Sequence, residues 1–470
     1  MNFTGLRPLA VAISLTLVSG CATFSDDGGF DVVTQQVESR IGQKPAWQRS
    51  AEQQEQIAKE IRALLAEPLT AESTVRIALL NNPGLQASLA ELGLAEADLV
   101  QAGRLRNPGF TYAKLKRGDE IEVERELSFD ILGLFVMPLR VQIESRRFEQ
   151  AKLQAAADVL ALAAETRKAY YGAIAAQQTA QYMEQVQQAA DAGAELAQRM
   201  VEVGNWSKLR QAREQVFYAE ATAQLARARQ TAVSERERLT RLLGLWGKDA
   251  EFKLPERLPD LPKEARESVD LEAQALQQRL DMQAAKFESE GVAKSLGLTK
   301  ATRFVNVLEL GVIRNTSNEA PRQTGYEIEL SIPLFDFGGA KVAKAETIYM
   351  QSAQRLRETA INARSEVREA YHGYRTAFDL ARHYRDEIVP LRKQISEENL
   401  LHYNGMLISV FELLADAREQ AAAVNSYIEA LRDYWSAETD LQTALSVKSP
   451  GAMRQTKAAM PTASSAGGGH

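Results

Sequence analysis

The stretch that decides the fold is Glu120–Ile131, EIEVERELSFDI, in which apolar and acidic residues alternate almost without a break. Its apolar positions are Ile121, Val123, Leu127, Phe129 and Ile131, and Arg125 is the one exception among them. Its acidic and polar positions are Glu120, Glu122, Glu124, Glu126, Ser128 and Asp130. Because successive side chains of a β-strand point to opposite faces, this stretch predicts a strand with one apolar and one acidic face.

A second stretch, Tyr326–Ile332, alternates in the same way and carries Glu327 and Glu329 on its acidic face. Phe110–Lys116 and Phe304–Ile313 are plausible partner strands, which gives two hairpins and four strands per chain. An apolar outer row and an acidic inner row are typical of a lipid-facing barrel around water, although a half-buried sheet in a soluble protein has the same period. Four strands cannot close a barrel around a wide lumen, so either several chains contribute strands or the barrel interpretation fails.

The acidic row has two interpretations. If it lines a lumen, its like charges create a negative potential that attracts cations. Alternatively, the acids pair across the hairpin with Lys114, Lys116 or Arg125. The lumen candidates are Glu120, Glu122, Glu124, Glu126, Asp130, Glu327 and Glu329.

Long helical segments flank the strands. The run 138–203 contains no proline after Pro138, and an unbroken helix of that length would extend roughly 100 Å. The run 338–404 has a similar length, with Pro390 expected to kink it or interrupt one hydrogen bond. Narrow apolar stripes rich in alanine predict closely packed, coiled-coil-like partners. The fold class is therefore mainly α with a small β part.

These features occur twice, about 200 residues apart, with Gly204 and Gly405 in the corresponding turns. We place the first repeat at 71–254 and the second at 268–446. The segment 255–267, with three prolines, is predicted to be an extended linker between them. The polar segment 21–70 is predicted to be a linker with one short helix, and 447–470 a flexible tail.

Composition excludes several classes of protein. The 470 residues contain no apolar run of about 18 residues, which excludes a polytopic helical membrane protein. The 56 basic and 62 acidic residues leave a net charge of −6, which argues against nucleic acid as a partner. A single cysteine excludes an internal disulfide and a cysteine zinc cluster.

That cysteine follows a short apolar segment near the amino terminus. Arg7 precedes the run Leu9–Val18, which has the length of a secretory signal and is too short to span a bilayer. Val18-Ser19-Gly20-Cys21 resembles a bacterial lipobox, so residues 1–20 are predicted to be a lipoprotein signal peptide and Cys21 the lipidated residue. The alternative is an ordinary signal followed by an incidental cysteine. Ala22 resembles the residue that addresses lipoproteins to the outer membrane.

Taken in order, several motifs resemble the bacterial outer-membrane efflux (TolC) family, in a lipoprotein member. The resemblance covers roughly 73–445 and rests on five segments, none of them specific alone: 78–87 (ALLNNPGLQA), 275–285, 331–339 (SIPLFDFGG), 204–209 and 403–409. It implies a homotrimer with long antiparallel helical hairpins forming an α-barrel, and four strands per chain forming a 12-stranded transmembrane β-barrel. It also implies a passive exit duct in the outer membrane that extends into the periplasm. A periplasmic adaptor and an inner-membrane pump would be the partners.

The resemblance further assigns roles near the two turns. Val203, Gly204, Asn205, Asn404, Gly405 and Met406 are the adaptor-docking tips. Glu412 falls where the family narrows the tunnel entrance, and the next acid falls on Asp416 instead of Ala415. Arg210 occupies a position where an acid is common, so an Arg210–Glu412 contact between neighbouring repeats is a candidate gate, although both residues could equally be solvated surface charges.

Catalysis finds little support in the sequence, and we expect neither an enzyme nor a cofactor or metal. Asp336-Phe337-Gly338 matches a kinase triplet without the motifs that accompany it, and no histidine belongs to an HExxH arrangement. The leading functional prediction is the channel of a tripartite efflux system. A polypeptide secretion duct and a non-conducting envelope scaffold are the alternatives, and the sequence does not distinguish a metal cation, a drug or a polypeptide as the transported substrate.

Overall fold

The computed structural model describes residues 23–267, 270–305, 307–331 and 333–448. The helices are α1 (Phe30–Ile41), α2 (Ala51–Leu65), α3 (Ala71–Asn81), α4 (Pro83–Ala102), α5 (Ile131–Glu202), α6 (Lys208–Leu243), α7 (Leu271–Gln278), α8 (Leu280–Ala301), α9 (Gly339–His383), α10 (Val389–Asn404) and α11 (Val410–Ser446). The strands are β1 (Gly109–Arg117), β2 (Glu120–Asp130), β3 (Leu308–Ser317) and β4 (Gln323–Leu330). The prediction of a mainly α fold with four strands is confirmed.

The chain forms two compact units, and each of them combines segments from both halves of the sequence. The first contains the segment ending at Gln35, then Ser88–Ala156 and Leu280–Ile361. The second contains Gln36–Ala87, Ala157–Arg279 and the segment that begins at Asn362. Both predicted repeats therefore contribute to each unit.

The first unit contains an antiparallel sheet in the order β1-β2-β3-β4. The two-residue turn between β1 and β2 uses Gly118 at φ 63°, which matches the left-handed backbone of tight hairpins. β3 runs about four residues later than the predicted Phe304–Ile313. The reason is Asn318, whose side chain accepts from Ile121 N (2.6 Å) and donates to Asp119 O (2.8 Å), which holds the end of β3 against the β1–β2 hairpin.

The second unit contains a core rich in aromatic side chains. Tyr171 stacks on Trp435 with ring centroids 5.3 Å apart, and Trp435 meets Tyr434 edge-on at 5.1 Å. The hydroxyl of Tyr170 donates to Leu69 O at 2.9 Å, so this buried polar group is satisfied. Leu69 lies in the segment predicted to be a linker, which contains the two helices α1 and α2 instead of one short helix.

Two prolines act differently from each other. The helix expected to begin at Pro138 begins at Ile131, because the Asp130 carboxylate accepts from Gly133 N (2.6 Å) and caps the first turn. Pro138 therefore lies inside α5, where it removes one backbone donor. At Pro390 the expected interruption is confirmed: α9 ends at His383, a π-helical turn follows over Tyr384–Ile388, and α10 begins at Val389.

Candidate functional site

All seven predicted lumen acids lie on one face of the sheet. Residues directly opposite each other in an antiparallel pair share a face. Gly311 lies opposite both Ser128 and Glu327, which joins the acidic row of β2 to that of β4. A Cβ added at Gly311 would come within 2.8 Å of Glu126 Oε1, so the glycine leaves room for this carboxylate.

An eighth acid on this face was missed by the sequence analysis. Glu309 lies opposite Asp130 on one side and Glu329 on the other, so three carboxylates share one row across β2, β3 and β4. The alternation Leu308-Glu309-Leu310 could have revealed it, but the predicted strand began at Phe304 and its faces were not assigned. Of the three, Asp130 also serves as the cap of α5.

The opposite face of the sheet is apolar and exposed. Tyr326 is 78% exposed to solvent, and Phe110 and Ile328 are also largely exposed. The nine residues that form its half nearer the helices are Phe110, Leu127, Phe129, Leu308, Leu310, Val312, Tyr326, Ile328 and Leu330.

The same register excludes one of the two interpretations of the acidic row. Lys114 lies opposite Val123, Lys116 opposite Ile121, and Arg125 opposite Tyr112. The three cations therefore lie on the apolar face, away from the acids. The suggested charge pairing across the hairpin is wrong.

The first turn, Val203-Gly204-Asn205, closes α5 with a Schellman motif. Asn205 N donates to Met200 O at 2.9 Å and Gly204 N donates to Val201 O at 2.9 Å. Gly204 has φ 77°, a left-handed conformation that glycine adopts without steric cost. Gly204 therefore caps α5.

The second turn, Asn404-Gly405-Met406, differs from the first in the residue that has a positive φ. Leu407 N donates to His402 O (2.8 Å) and Met406 N donates to Tyr403 O (2.9 Å), which is the same Schellman pattern moved by one residue. Gly405 has φ −79°, and the left-handed residue is Met406 at φ 58°. Gly405 therefore does not supply the positive φ, and the left-handed position falls one residue later than the glycine.

The two turns lie together in the second unit. Side chains from both line one pocket, among them Trp206 and Arg210 from the first and Tyr403 and Met406 from the second. Met406 keeps 92% of its surface exposed, and Val203 is also largely exposed. The turns thus form one surface with apolar side chains facing water.

The charged candidates near this surface divide into exposed and buried groups. Arg210 is exposed, and exposed Glu412 forms a capping box in which its carboxylate accepts from Ser409 N (3.1 Å). Within one chain no ion pair joins these two among the residues that the structure describes. Asp416 is buried, and its Oδ2 has no hydrogen-bond partner in the described part of the chain.

A buried ion pair lies beside them that the sequence analysis did not identify. Arg418 on α11 donates to Glu214 Oε2 on α6 at 2.8 Å, and the Glu214 side chain is only 1% exposed. The Arg418 guanidinium also lies 4.0 Å from the ring centroid of Phe217. Nothing in the spacing of one sequence indicates this pair, because its two residues are 204 positions apart.

The motifs that carried the resemblance close the ends of helices. Asn81 Nδ2 donates to Leu243 O (2.9 Å) and Gly244 O (2.8 Å), and Asn82 Nδ2 donates to Leu242 O (2.9 Å), which satisfies the last carbonyls of α6.

In the second repeat, Arg279 is the side chain that binds a carbonyl at the end of a helix. It is fully buried, donates to Ala444 O near the end of α11 (3.1 Å) and pairs with Glu366 (2.8 Å). The two motifs therefore close α6 and α11 by different side chains.

Other predicted features have plainer outcomes. Cys21 lies outside the described residues, as do Ile332 and the tail from residue 449. The Asp336 carboxylate accepts from Gly338 N (2.8 Å) in the turn before α9, so the kinase-like triplet is a local turn.

Two negative findings apply to the described ranges only. Over these ranges, no group of three or more His, Cys, Asp or Glu side chains could hold a metal ion. None of the helices that the structure describes has both the length and the apolar character needed to cross a membrane.

Comparison with known proteins gives a consistent fold. No protein-family model and no curated protein matches the chain. Among solved structures, the CmeC outer membrane channel of Campylobacter jejuni aligns with TM-score 0.67 and 16% identity over 80% of this chain and 85% of that chain. The outer-membrane channel OprN aligns with TM-score 0.67 and 16% identity over 90% of this chain and 97% of that chain. CusC, described as forming a transmembrane channel, aligns with TM-score 0.66 and 17% identity over 80% of this chain and 92% of that chain.

At these identities the likeness establishes the fold. The chain has the fold of these outer-membrane channels, which is the fold that the sequence resemblance predicted.

Proposed function

We propose that three copies of this chain form a channel through the bacterial outer membrane, with the twelve strands joined in one barrel. The observation that carries the proposal is the sheet, which has an exposed apolar face, an acidic face, and two edges unpaired in one chain, β1 and β4. A bilayer tolerates strands only when every backbone group is paired, so the edges require neighbouring copies. Four strands per copy are too few to surround a lumen alone.

In the barrel, the acidic face would line the water-filled lumen and the apolar face would contact lipid. Each copy contributes the seven predicted acids and Glu309 to this lumen. Like charges converging on a narrow passage produce a negative potential, so the lumen would attract cations. The passage is a conduit and requires no catalytic group.

The helices would continue the passage into the periplasm and end at the two turns. Exposed apolar side chains at these turns, with Met406 and Val203 foremost, suit docking by the helical hairpins of a periplasmic adaptor. The adaptor would connect the duct to an inner-membrane pump that supplies the solute. Lipidation of Cys21 would anchor each copy to the same membrane.

The entrance beside the turns carries the candidate gate. Arg210 and Glu412, both exposed in one chain, would meet between neighbouring repeats and hold the entrance closed until the adaptor docks. Asp416, buried with one unpartnered oxygen, would narrow the entrance further. Neutralising Arg210 and Glu412 singly and together should raise single-channel conductance, and unchanged conductance would remove this gate.

Two measurements test the channel itself. The full chain in planar bilayers should give discrete conductance steps, which a scaffold would not give. Cysteines introduced on the edge strands, Leu115→Cys on β1 with Gln323→Cys on β4, should give trimers with a bismaleimide linker, whereas each single variant should give monomers. Silent bilayers and uncross-linked single chains would overturn the proposal.

A deletion strain separates the efflux duct from a secretion duct of the same architecture. Accumulation of a small solute in that strain supports efflux. Loss of a secreted polypeptide with no solute accumulation would favour the alternative.

A further inference from the structure

The apolar face of the sheet has a second half that the channel function does not use. Nearer the two hairpin turns, this face carries Lys114, Lys116, Arg125 and Arg314, which we name the basic belt. Among the residues of the four strands, the same face carries no acid. The opposite face carries eight acids and a single cation, Arg117. The sheet therefore separates its charges by face instead of pairing them.

This separation leaves the cations without protein counter-charges. Arg125 lies directly opposite Arg314, and like charges in that position destabilise a sheet. Lys114, Lys116 and Arg314 are exposed, and none of the four forms an ion pair with a described residue. Some other anion must therefore offset their repulsion when the face is removed from water.

The Arg125 side chain leans towards the hairpin turns. Its guanidinium lies 5.8 Å from the ring centroid of Tyr112 and donates to Thr316 Oγ1 at 3.3 Å. Thr316 pairs with Val123, two positions closer to the hairpin turns than Arg125 itself. The side chain thus leans away from the apolar half, as a cation does when it reaches for a membrane–water interface.

The strands are about long enough to cross a bilayer: they contain 9, 11, 10 and 8 residues, against the roughly 9–11 that a tilted strand needs. Arg125 lies at the middle of β2, opposite Arg314, and Lys114 and Lys116 lie nearer the hairpin turns. With the apolar half in hydrocarbon, the long side chains of the belt would extend towards the headgroups at the hairpin end.

We propose that the basic belt binds the phosphate groups of lipid headgroups in the leaflet around the hairpin turns. A phosphorylated glycolipid with several acyl chains fits best, because its phosphates would meet the four cations while its chains cover the apolar half below them. This inference rests on the proposed function, since it requires the sheet to span the membrane. It assigns the belt a specific lipid partner in addition to general contact with hydrocarbon.

The test compares lipid retention by matched variants of the full chain. One variant carries K114Q, K116Q, R125Q and R314Q. The control carries K341Q, K344Q, R227Q and R357Q, which removes two lysines and two arginines, all exposed, from helices. Each protein is reconstituted in phosphatidylcholine vesicles with and without lipid A, and native mass spectrometry counts the lipid A retained per trimer.

We expect wild type and control to retain lipid A, with retention falling as salt rises. Each neutralised belt cation should weaken binding about fivefold, so the quadruple belt variant should retain almost none. The charge-preserving variant R125K/R314K should bind nearly as wild type. Equal retention of lipid A by the belt variant and the control would overturn the inference. The inference would also be overturned if free inorganic phosphate competed for the belt as well as lipid A does.

Conductance in pure phosphatidylcholine separates the two proposals. If the belt variant forms conducting trimers there, and if it also retains as much lipid A as the control does, then the lipid inference is wrong and the channel proposal stands. If wild type neither conducts nor trimerises, both proposals fall.

Discussion

Replacing Arg418 by methionine should loosen the helices beside the two turns, because it removes the only charge that contacts Glu214 in the described structure. Glu214 is 1% exposed, so its carboxylate has already lost most of its hydration. Its second oxygen, Oε1, has no described partner that could take over. Methionine keeps much of the apolar stem that lies against Phe217, so the change tests charge more than packing.

The expected cost follows from the burial of the two partners. Breaking a buried pair costs about 3–5 kcal/mol, and the 31% exposure of the Arg418 side chain places the estimate at the low end. About 3 kcal/mol corresponds to an increase of roughly 100-fold in the population of locally open states. The double variant E214M/R418M removes both charges and should recover most of this loss.

Hydrogen-exchange mass spectrometry of peptides covering the first half of α6 measures this opening directly. The matched control is Arg392→Met on α10, which breaks an ion pair to Glu419 on α11 at side-chain exposures of 34% and 61%, and its effect is measured in peptides covering the first half of α11. An exposed pair contributes at most about 1 kcal/mol, so exchange should rise less than roughly fivefold. Equal exchange in the Arg418 and Arg392 variants, or a double variant no better protected than R418M, would refute the reasoning.

Three further predictions concern the turns, the aromatic core and the acidic face. Met406→Gly should stabilise the second turn by about 1 kcal/mol, because glycine adopts φ 58° without strain. The stabilisation should be seen as slower hydrogen exchange at the end of α10. Gly405→Ala should not slow exchange in this way, because Gly405 has φ −79° and is not in a left-handed conformation. Burial raises the pKa of Tyr170 to about 12 from 10.0, so the unfolded chain loses this proton at a lower pH than the folded chain. The free energy of unfolding should therefore fall as pH rises from 10 to 12. Denaturant titration at each pH should show a smaller fall in Tyr170→Phe. Glu309→Gln should reduce cation preference in reversal potentials as much as Glu329→Gln does, and an effect confined to Glu329 would exclude Glu309 from the lumen.

Much of the sheet was predictable because strand alternation is a local property. The period of two in Glu120–Ile131 determines which residues share a face, whatever the partner strand does. The end of β3 was not predictable in this way, since it depends on Asn318 binding a hairpin about 200 positions earlier in the sequence. The start of α5 was missed for a different reason: Asp130 was assigned to the strand alone, whereas it also caps the helix.

The candidate site was predictable only in part. The turns at Gly204 and Met406 were located to within one residue, because helix ends leave a local signal in glycine. The ion pair of Glu214 with Arg418 left no such signal, since each residue alone looks like an ordinary charge on a helix surface. Pairs of this kind are set by which helices pack together, and one sequence does not contain that information.

The two turns share a hydrogen-bond geometry but differ in the residue at the left-handed position. Both end their helices with the same Schellman hydrogen bonds, yet the first places glycine in the left-handed position and the second places methionine there. A left-handed conformation costs a residue other than glycine about 1–2 kcal/mol, and burial does not offset this cost because the Met406 side chain is 92% exposed. Glycine would stabilise the turn, so the exposed methionine at this position is consistent with the proposed docking role of this surface. Contact with a docking partner is the contribution that an exposed, adaptable apolar side chain makes best.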